Sequence, residues 1–119
     1  MARLTPADAE ARVAGALARN RTAEANAAVT ARALVAAEVD GLAGHGLSRV
    51  ASYAAQARVG KVDGFAEPVV SRPASAVAAV DAAHGFAYPA LDAAVTALAG
   101  IAPETGVAAA PVRRSHHAR

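Results

Sequence analysis

Residues 105–112 read Thr-Gly-Val-Ala-Ala-Ala-Pro-Val, and this stretch decides the class of fold that the chain adopts. Thr105 and Gly106 lead into a short apolar run, Val107 to Val112, whose length suits a single strand. A helical segment precedes this run, and a buried apolar strand that follows a helix is typical of parallel strand pairing. The stretch therefore predicts a β-α-β unit in the second half of the chain.

The helix and the first strand of this unit are expected directly upstream. Between Tyr88 and Ala99, the three residues Leu91, Val95 and Leu98 are spaced three and four apart, as on one face of a helix. A glycine that follows such a pattern commonly ends a helix, so we expect this helix to end at Gly100.

The first strand is expected at Ser75–Val80, after a short extended piece at Pro68–Val70. A turn at Asp81–Gly85 follows it, with Asp81 as the residue that forms the turn and His84 as a solvated turn residue.

Three helices are predicted in the first half of the chain, before a break near Lys61–Glu67. Thr5-Pro6 begins the first helix, and Thr22-Ala23-Glu24 begins the second, which Gly41 ends. The third runs from Leu47 to Ala57. The fold class is thus α+β, with a helical segment at 1–60 and an α/β piece at 61–119. The apolar positions at helical spacing are Val29, Ala33 and Ala36 in the second helix, and Val50, Tyr53, Ala54 and Ala57 in the third.

Composition limits what the core can contribute to stability. Hydrophobic residues make up 55% of the 119 residues, but most of them are alanine, and aromatic residues reach only 3%. Burial of apolar surface stabilises by about 25 cal/mol per Å², and alanine buries little area. The chain is therefore expected to depend on a partner, either more polypeptide or a second subunit.

Charge and residue usage argue against several classes of function. The net charge is +2 and the arginines are scattered, so no basic stripe for nucleic acid is expected. The chain has no cysteine, which excludes disulfides and thiolate metal sites and fits a reducing cytoplasm. No segment has the pattern of a signal peptide or a transmembrane helix. We expect a cytoplasmic protein without nucleic-acid or membrane partners.

The hexapeptide Gly44–Arg49, Gly-His-Gly-Leu-Ser-Arg, is the strongest candidate for a site. His45 can carry a proton near neutral pH, and the Arg49 guanidinium can hold a carboxylate through two parallel hydrogen bonds. The glycines Gly44 and Gly46 let the backbone approach a ligand closely. From spacing alone, a packed or solvated histidine at a helix start is the more common explanation.

A second candidate lies at His116-His117, after the end of the last predicted strand. Functional groups of α/β proteins commonly lie at such strand ends. Adjacent side chains of a strand point to opposite faces, so at most one of the two histidines can face a given site. No Asp or Glu lies nearby, so a metal site is not expected. The alternative explanation is a basic tail without fixed structure.

The order of these motifs resembles the type 2 malate/L-lactate dehydrogenase family, which includes ureidoglycolate dehydrogenase, diketogulonate reductase and piperideine-2-carboxylate reductases. Residues 45–49 match the HGLSR motif of that family residue for residue, and Tyr53 falls where its next helix carries a tyrosine. Asp81–Gly85 is similar to its acidic-and-glycine turn. Thr105–His117 is similar to its TGV strand, which ends in R-x-S-x-H. The resemblance covers essentially the whole chain.

The resemblance implies an NAD(P)-dependent oxidoreductase that interconverts 2-hydroxy and 2-oxo acids or reduces cyclic imino acids. His45 would exchange a proton with the C2 oxygen or imine nitrogen of the substrate. Arg49 would bind the substrate carboxylate, and Ser48 would support the turn. His117, rather than His116, would be the second catalytic histidine. The cofactor would be NAD or NADP, and the assembly a homodimer.

The resemblance also implies that residues 61–119 begin the non-Rossmann nucleotide-binding domain of the family. It reaches only the opening third of family members. An incomplete fold is therefore expected, with most of the cofactor site beyond residue 119 and no activity from the chain alone. Two positions depart from the family pattern: Gly44 stands where a serine is common, and Ala118-Arg119 where an aromatic or small residue and a glycine usually follow.

Two other classes of function stay open at this point. A small Ala-rich helical interaction module would pair its helices with a partner, and its histidines would be incidental. A DNA-binding helix-turn-helix would also begin with three short helices. That class is disfavoured because Arg49 and Arg58 are the only basic residues of the third helix.

Overall fold

The computed structural model describes residues 3–117 of the chain. Helices dominate the first half of this range, and a three-stranded sheet with one long helix forms the second half. The elements, in order, are α1 (Pro6–Ala18), α2 (Glu24–Val39), the 3₁₀ turns Ala43–His45 and Leu47–Arg49, α3 (Val50–Arg58), β1 (Val69–Ala74), β2 (Val77–Asp81), α4 (Ala87–Thr105) and β3 (Val112–Arg113). The predicted α+β class is confirmed.

Two further expectations from the sequence concern membrane-spanning helices and the last two residues. None of its helices is long and apolar enough to cross a membrane. The departure from the family pattern at Ala118-Arg119 lies outside the described residues.

The helix starts follow the sequence signals. The Thr5 hydroxyl accepts a hydrogen bond from the backbone N–H of Asp8, and Pro6 occupies the first turn of α1. Helix α2 begins at Glu24, as predicted, although no side chain caps it. It ends before Gly41, whose φ of 82° lies in the left-handed region that glycine adopts without strain.

The sheet has the order β1-β2-β3, with β2 in the centre. Strands β1 and β2 form an antiparallel pair, so the extended piece expected at Pro68–Val70 is part of a full strand. Strands β2 and β3 pair in parallel, with Val80 opposite Val112, across α4. The predicted β-α-β unit is confirmed, but the predicted burial of its last strand is wrong. Val107 is 74% exposed because the run from 107 to 112 lies along an edge of the sheet.

Within residues 3–117, most of the buried apolar side chains belong to two clusters. The larger cluster joins α1, α2 and α3, and it also takes in Val62 and Phe86 from the second half of the chain. The smaller one lies between the sheet and α4 and includes Val80 and Ala94. Phe86 therefore ties the start of α4 to the helical segment. The division into 1–60 and 61–119 stays a prediction.

The buried faces of α2 and α4 are not the faces that the apolar spacing predicts. In α4, Leu91 is 41% and Val95 65% exposed, whereas Ala90 and Ala94 are buried. The small alanine side chains let α4 approach β2 closely, which turns the larger ones outwards. The expected end of this helix at Gly100 is also wrong, because α4 continues to Thr105 and buries Ile101 in its last turns.

In α2 the core takes a neighbouring face, led by Leu34 and Val35. Val29 and Ala33, which the pattern places inward, are only half-buried, and Ala36 is exposed.

Candidate active site

The HGLSR turn is fixed to the last turns of α2. A Cβ atom on Gly46 would lie 3.0 Å from the Cβ and 3.1 Å from the Cα of Glu38, so only a glycine fits without a shift. The backbone N–H of Leu47 donates to Oε1 of Glu38 at 3.2 Å. Glu38 therefore anchors the turn through both packing and a hydrogen bond.

Two side chains of the motif bond back onto the turn itself. Ser48 Oγ donates to the carbonyl oxygen of Ala43 at 2.7 Å, and Arg49 Nε donates to that of Gly44, also at 2.7 Å. These bonds close the turn on both sides of His45 and hold the guanidinium beside the backbone that carries the imidazole. The structure thus brings His45, Ser48 and Arg49 together in one turn.

The His45 side chain is exposed at the surface of this turn. Among the described residues, no hydrogen bond or ring contact joins His45 to His116 or to His117. The two candidate motifs are instead linked through the side chain of Tyr53.

Tyr53 lies in α3, one turn after the HGLSR motif, and its ring is almost fully buried. Its hydroxyl donates to the backbone carbonyl oxygen of His117 at 3.3 Å. Burial raises the pKa of Tyr53, the neighbouring Tyr88 raises it further, and the positive charge of Arg49 partly offsets both. Tyr53 is therefore hydrogen-bonded to the backbone of the second motif, and its pKa is influenced by the charge of Arg49 in the first.

His116 is packed against the helical core. Its ring meets those of Tyr53 and Phe86 edge-on, with centroids 4.8 and 5.7 Å apart. His116 Nε2 lies 3.0 Å from Oε1 of Gln56, whose own amide nitrogen donates to Ser52 Oγ. The amide therefore presents an acceptor, which favours the tautomer with the proton on Nε2.

The other ring nitrogen of His116, Nδ1, is buried and has no hydrogen-bond partner among the described residues. Burial lowers the pKa of His116, and the positive charges of His117 and Lys61 lower it further. The His117 side chain, by contrast, is exposed. The two adjacent side chains thus separate, one inward and one outward, although both residues lie beyond the end of β3.

A cluster of salt-bridged side chains at the ends of β2 and β3 was not predicted from the sequence. Asp81 forms the expected turn, because its Oδ1 accepts from the backbone N–H of Ala83 at 2.8 Å. Its carboxylate also binds Arg114 in a bidentate pair, at 2.9 and 2.6 Å, and lies 3.2 Å from Arg113. The hydrogen bonds from Arg114 and from Ala83 hold the pKa of Asp81 well below its usual range.

Part of the signal for this cluster was present in the sequence, because the predicted β-α-β unit implies a parallel pair of strands. A parallel pairing of the strand that ends at Asp81 with the strand that ends at Arg113-Arg114 places these charges side by side. His84, at the next turn position, is exposed as predicted. The described residues contain no group of three or more His, Asp or Glu side chains placed to hold a metal ion.

Comparison with known proteins identifies the family of the chain. Residues 4–119 match the family model described as malate/L-lactate dehydrogenase. The chain is 50% identical over 91 residues to (2R)-3-sulfolactate dehydrogenase (NADP(+)) of Chromohalobacter salexigens, an alignment that covers 76% of this chain and 27% of that protein. It is 41% identical over 99 residues to a delta(1)-pyrroline-2-carboxylate/delta(1)-piperideine-2-carboxylate reductase of Pseudomonas putida, covering 83% of this chain and 29% of the relative.

Solved structures give the same result. Delta1-piperideine-2-carboxylate reductase from Pseudomonas syringae superposes with a TM-score of 0.94 at 34% identity, over 99% of this chain and 36% of that one. Malate dehydrogenase from Pyrococcus horikoshii, at 22% identity and a TM-score of 0.89, shares the fold. The chain spans roughly a quarter to a third of the length of these relatives. The family model nevertheless matches nearly every residue, and the chain therefore belongs to the malate/L-lactate dehydrogenase family.

Proposed function

We propose that this chain is part of an NAD(P)-dependent oxidoreductase that interconverts 2-hydroxy and 2-oxo acids or reduces cyclic imino acids. The observation that carries the proposal is the turn that holds His45 and Arg49 together. Arg49 is tied to the Gly44 carbonyl oxygen through Nε, and among the described residues its two terminal nitrogens bind no other group. They form the side of the guanidinium that suits a carboxylate.

The chemistry of the substrates named for the relatives fits this arrangement. Sulfolactate and the pyrroline and piperideine carboxylates carry a carboxylate on the carbon that is oxidised or reduced. In the proposal, Arg49 binds that carboxylate, and the exposed imidazole of His45 gives a proton to the C2 oxygen or imine nitrogen during reduction. In oxidation His45 takes the proton back, and Ser48 keeps the turn closed.

His117 is proposed as the second catalytic histidine. Its exposed side chain is free of the aromatic packing that encloses His116, and its backbone is held by the Tyr53 hydroxyl. A fixed backbone with an exposed imidazole is what a proton-transfer group at the edge of a substrate site requires.

The described residues do not by themselves fit a dinucleotide. The turn between β2 and α4 contains one glycine, Gly85, and so lacks the glycine-rich phosphate-binding sequence of Rossmann dinucleotide sites. A Cβ atom on Gly85 would lie 2.8 Å from the Cβ of Ala66, so this glycine serves close packing rather than approach to a phosphate. The proposal therefore assigns the substrate carboxylate and a proton to this chain, and not the nicotinamide chemistry.

A cytoplasmic homodimer is part of the same proposal. The exposed Leu91 and Val95 on α4 offer an apolar surface to a second subunit, and the lack of cysteine suits a reducing compartment. Sedimentation of the purified chain would contradict the dimer if it gave a monomer at all concentrations.

Titration of the 119-residue chain with pyruvate, followed by NMR, tests the proposed function. We expect saturable shifts at the Arg49 Nε–H group and the His45 ring, with affinity in the millimolar range. Arg49→Gln is expected to abolish them, whereas Arg58→Gln, which removes an exposed charge of α3, is expected to leave them unchanged. Equal binding to both variants, or self-association without any binding of pyruvate, would favour a helical interaction module instead.

A further inference from the structure

A polar cavity lies beside the segment that follows β3. Its volume is about 270 Å³, and no carboxylate is among the described residues that line it. Five of its side chains are cationic or become cationic on protonation, namely Lys61, His84, Arg114, His116 and His117. The other two lining residues, Gln56 and Ser115, are uncharged.

The backbone around this cavity is held in an uncommon conformation. The described residues contain four non-glycine residues with positive φ, and Ala83, His84 and Arg114, at 53°, 65° and 52°, are three of them. The backbone N–H of His84 donates to the carbonyl oxygen of Arg114 at 2.8 Å, which locks the two segments together. Strained backbone of this kind is found preferentially where side chains are placed for a function.

Not all of the positive charge around the cavity is available to bind a ligand. Arg114 is neutralised by its bidentate pair with Asp81, which also fixes where its guanidinium lies. Lys61 is exposed, and the protein offers it no carboxylate within salt-bridge distance among the described residues. Lys61 and the three histidines therefore repel one another when the histidines are protonated.

We propose that this cavity binds a tetrahedral oxyanion, a sulfonate or phosphate group, carried by the substrate or by the cofactor. Cationic groups reach the cavity from the α3–β1 loop, the turn after β2 and the segment after β3. Donors that converge from several directions match the three oxygens of a tetrahedral group. A planar carboxylate is matched instead by the parallel N–H groups of a single guanidinium.

Protonation of His116 is coupled to this binding. Its unpartnered Nδ1 is able to carry a proton once a negative charge offsets the positive groups that now lower its pKa. By linkage, an anion that raises the pKa of His116 must bind more tightly as the pH falls. The titratable or charged groups that face this ring or its cavity are Tyr53, Lys61, His84, Arg114 and His117.

Sulfate provides the first test, because its charge does not change between pH 6 and pH 8. Titration of the 119-residue chain at constant ionic strength, followed by NMR of the histidine rings, is expected to give saturable shifts at pH 6. A rise of about one unit in the pKa of His116 tightens binding up to about tenfold once the pH lies below both the free and the bound value, so part of this gain, a several-fold tighter binding, is expected at pH 6 relative to pH 8. Shifts that do not saturate, or that chloride reproduces, would overturn the proposal.

Lys61 is the only lysine in the chain, so its acetylation, measured by mass spectrometry, reports on the cavity directly. We expect sulfate to slow acetylation of Lys61 in the unmodified protein. Lys61→Gln is expected to lower the affinity for sulfate, measured from the ring shifts, about tenfold. The control Arg12→Gln removes one exposed charge from α1 and is expected to have no effect. Equal weakening in both variants would show general charge screening and contradict the proposal.

Two matched pairs of molecules distinguish the sources of the anion. Displacement of sulfate by NADP+ but not by NAD+ assigns the cavity to a phosphate of the cofactor. Displacement by 3-sulfolactate but not by lactate assigns it to a sulfonate of the substrate. If no member of either pair displaces sulfate, the proposed link to substrate or cofactor is wrong. The link to substrate or cofactor rests on the proposed function, but the two fail separately, because pyruvate binding is observed at Arg49 and sulfate binding at Lys61.

Discussion

The hydroxyl of Tyr53 donates a hydrogen bond to the backbone carbonyl oxygen of His117, across 64 positions of the sequence. This bond joins the helix that follows the HGLSR turn to the segment that follows β3. The same ring packs edge-on against His116, and the charge of Arg49 influences its pKa. Tyr53 is therefore the residue through which the two candidate motifs are held in one structure.

Tyr53→Phe is expected to remove this hydrogen bond and retain the ring packing. The expected loss in free energy of unfolding is about 0.5–1.5 kcal/mol, as for one hydrogen bond. Tyr53→Ala, which also removes the contacts with Phe86 and His116, is expected to cost about 3–5 kcal/mol. Denaturant unfolding measures both. Equal losses for the two variants would show that the hydroxyl, and not the ring, provides the stabilisation.

Gly46→Ala is expected to destabilise the HGLSR turn by about 1–3 kcal/mol, because the added Cβ collides with Glu38. Gly44→Ala is the matched control, since a Cβ there meets nothing within 4 Å. Thermal unfolding of the two variants compares them directly. A Gly44→Ala variant as unstable as Gly46→Ala would contradict the packing that the structure shows.

Asp81→Asn is expected to lower the melting temperature at neutral pH and to flatten its acid dependence. The pKa of Asp81 is lowered in the folded protein, so its stabilising contribution is present above the ordinary value of 3.8 and is lost as the pH falls below it. Asparagine keeps an acceptor for the Ala83 N–H, so the change isolates the charge. Asp92→Asn, at an exposed pair with Arg32, is the control and is expected to have little effect.

His116 is expected to make the protein less stable as the pH falls below about 6.5. Its pKa is lowered in the folded state, so the unfolded chain binds the proton at a higher pH than the folded protein does. Acidification therefore stabilises the unfolded chain relative to the folded protein. His116→Phe should reduce this loss between pH 7 and pH 5. Identical pH profiles for unmodified protein and His116→Phe would refute the assignment.

The 119-residue chain alone is expected to show no NAD(P)-dependent turnover. Grafting residues 3–117 onto the matching part of the Pseudomonas syringae reductase, whose fold it shares, provides a polypeptide of family length. In that chimera His45→Ala is expected to lower kcat by about 10²–10⁴-fold, as for loss of a general acid–base group. Arg49→Ala is expected mainly to weaken carboxylate binding and so to raise KM.

Arg12→Gln is the control in the chimera, and its kinetics are expected to match those of the unmodified segment. Unchanged kinetics for Arg49→Ala, or cofactor-dependent turnover by the chain alone, would contradict these expectations.

The amino-acid sequence predicted the elements and the first motif well, because their signals are local. The Thr5 cap and the turn at Asp81 each depend on a few neighbouring residues. Residues 44–49 likewise form one closed turn, since Ser48 and Arg49 bond back to carbonyl groups five positions earlier. The helix faces were harder to predict, because apolar spacing shows which residues share a face but not which neighbour covers it.

Only the tertiary structure decided which of these side chains are buried and which charges meet. Alanines, not Leu91 and Val95, face the sheet, because close approach of α4 to β2 favours small side chains. The sequence alone determined that His45 and Arg49 share a turn, since both lie within one hydrogen-bonded loop. The pairing of Asp81 with Arg114 and the packing of His116 on Tyr53 required distant segments to come together. Contacts of that kind depend on the packing of whole elements, which no local pattern encodes.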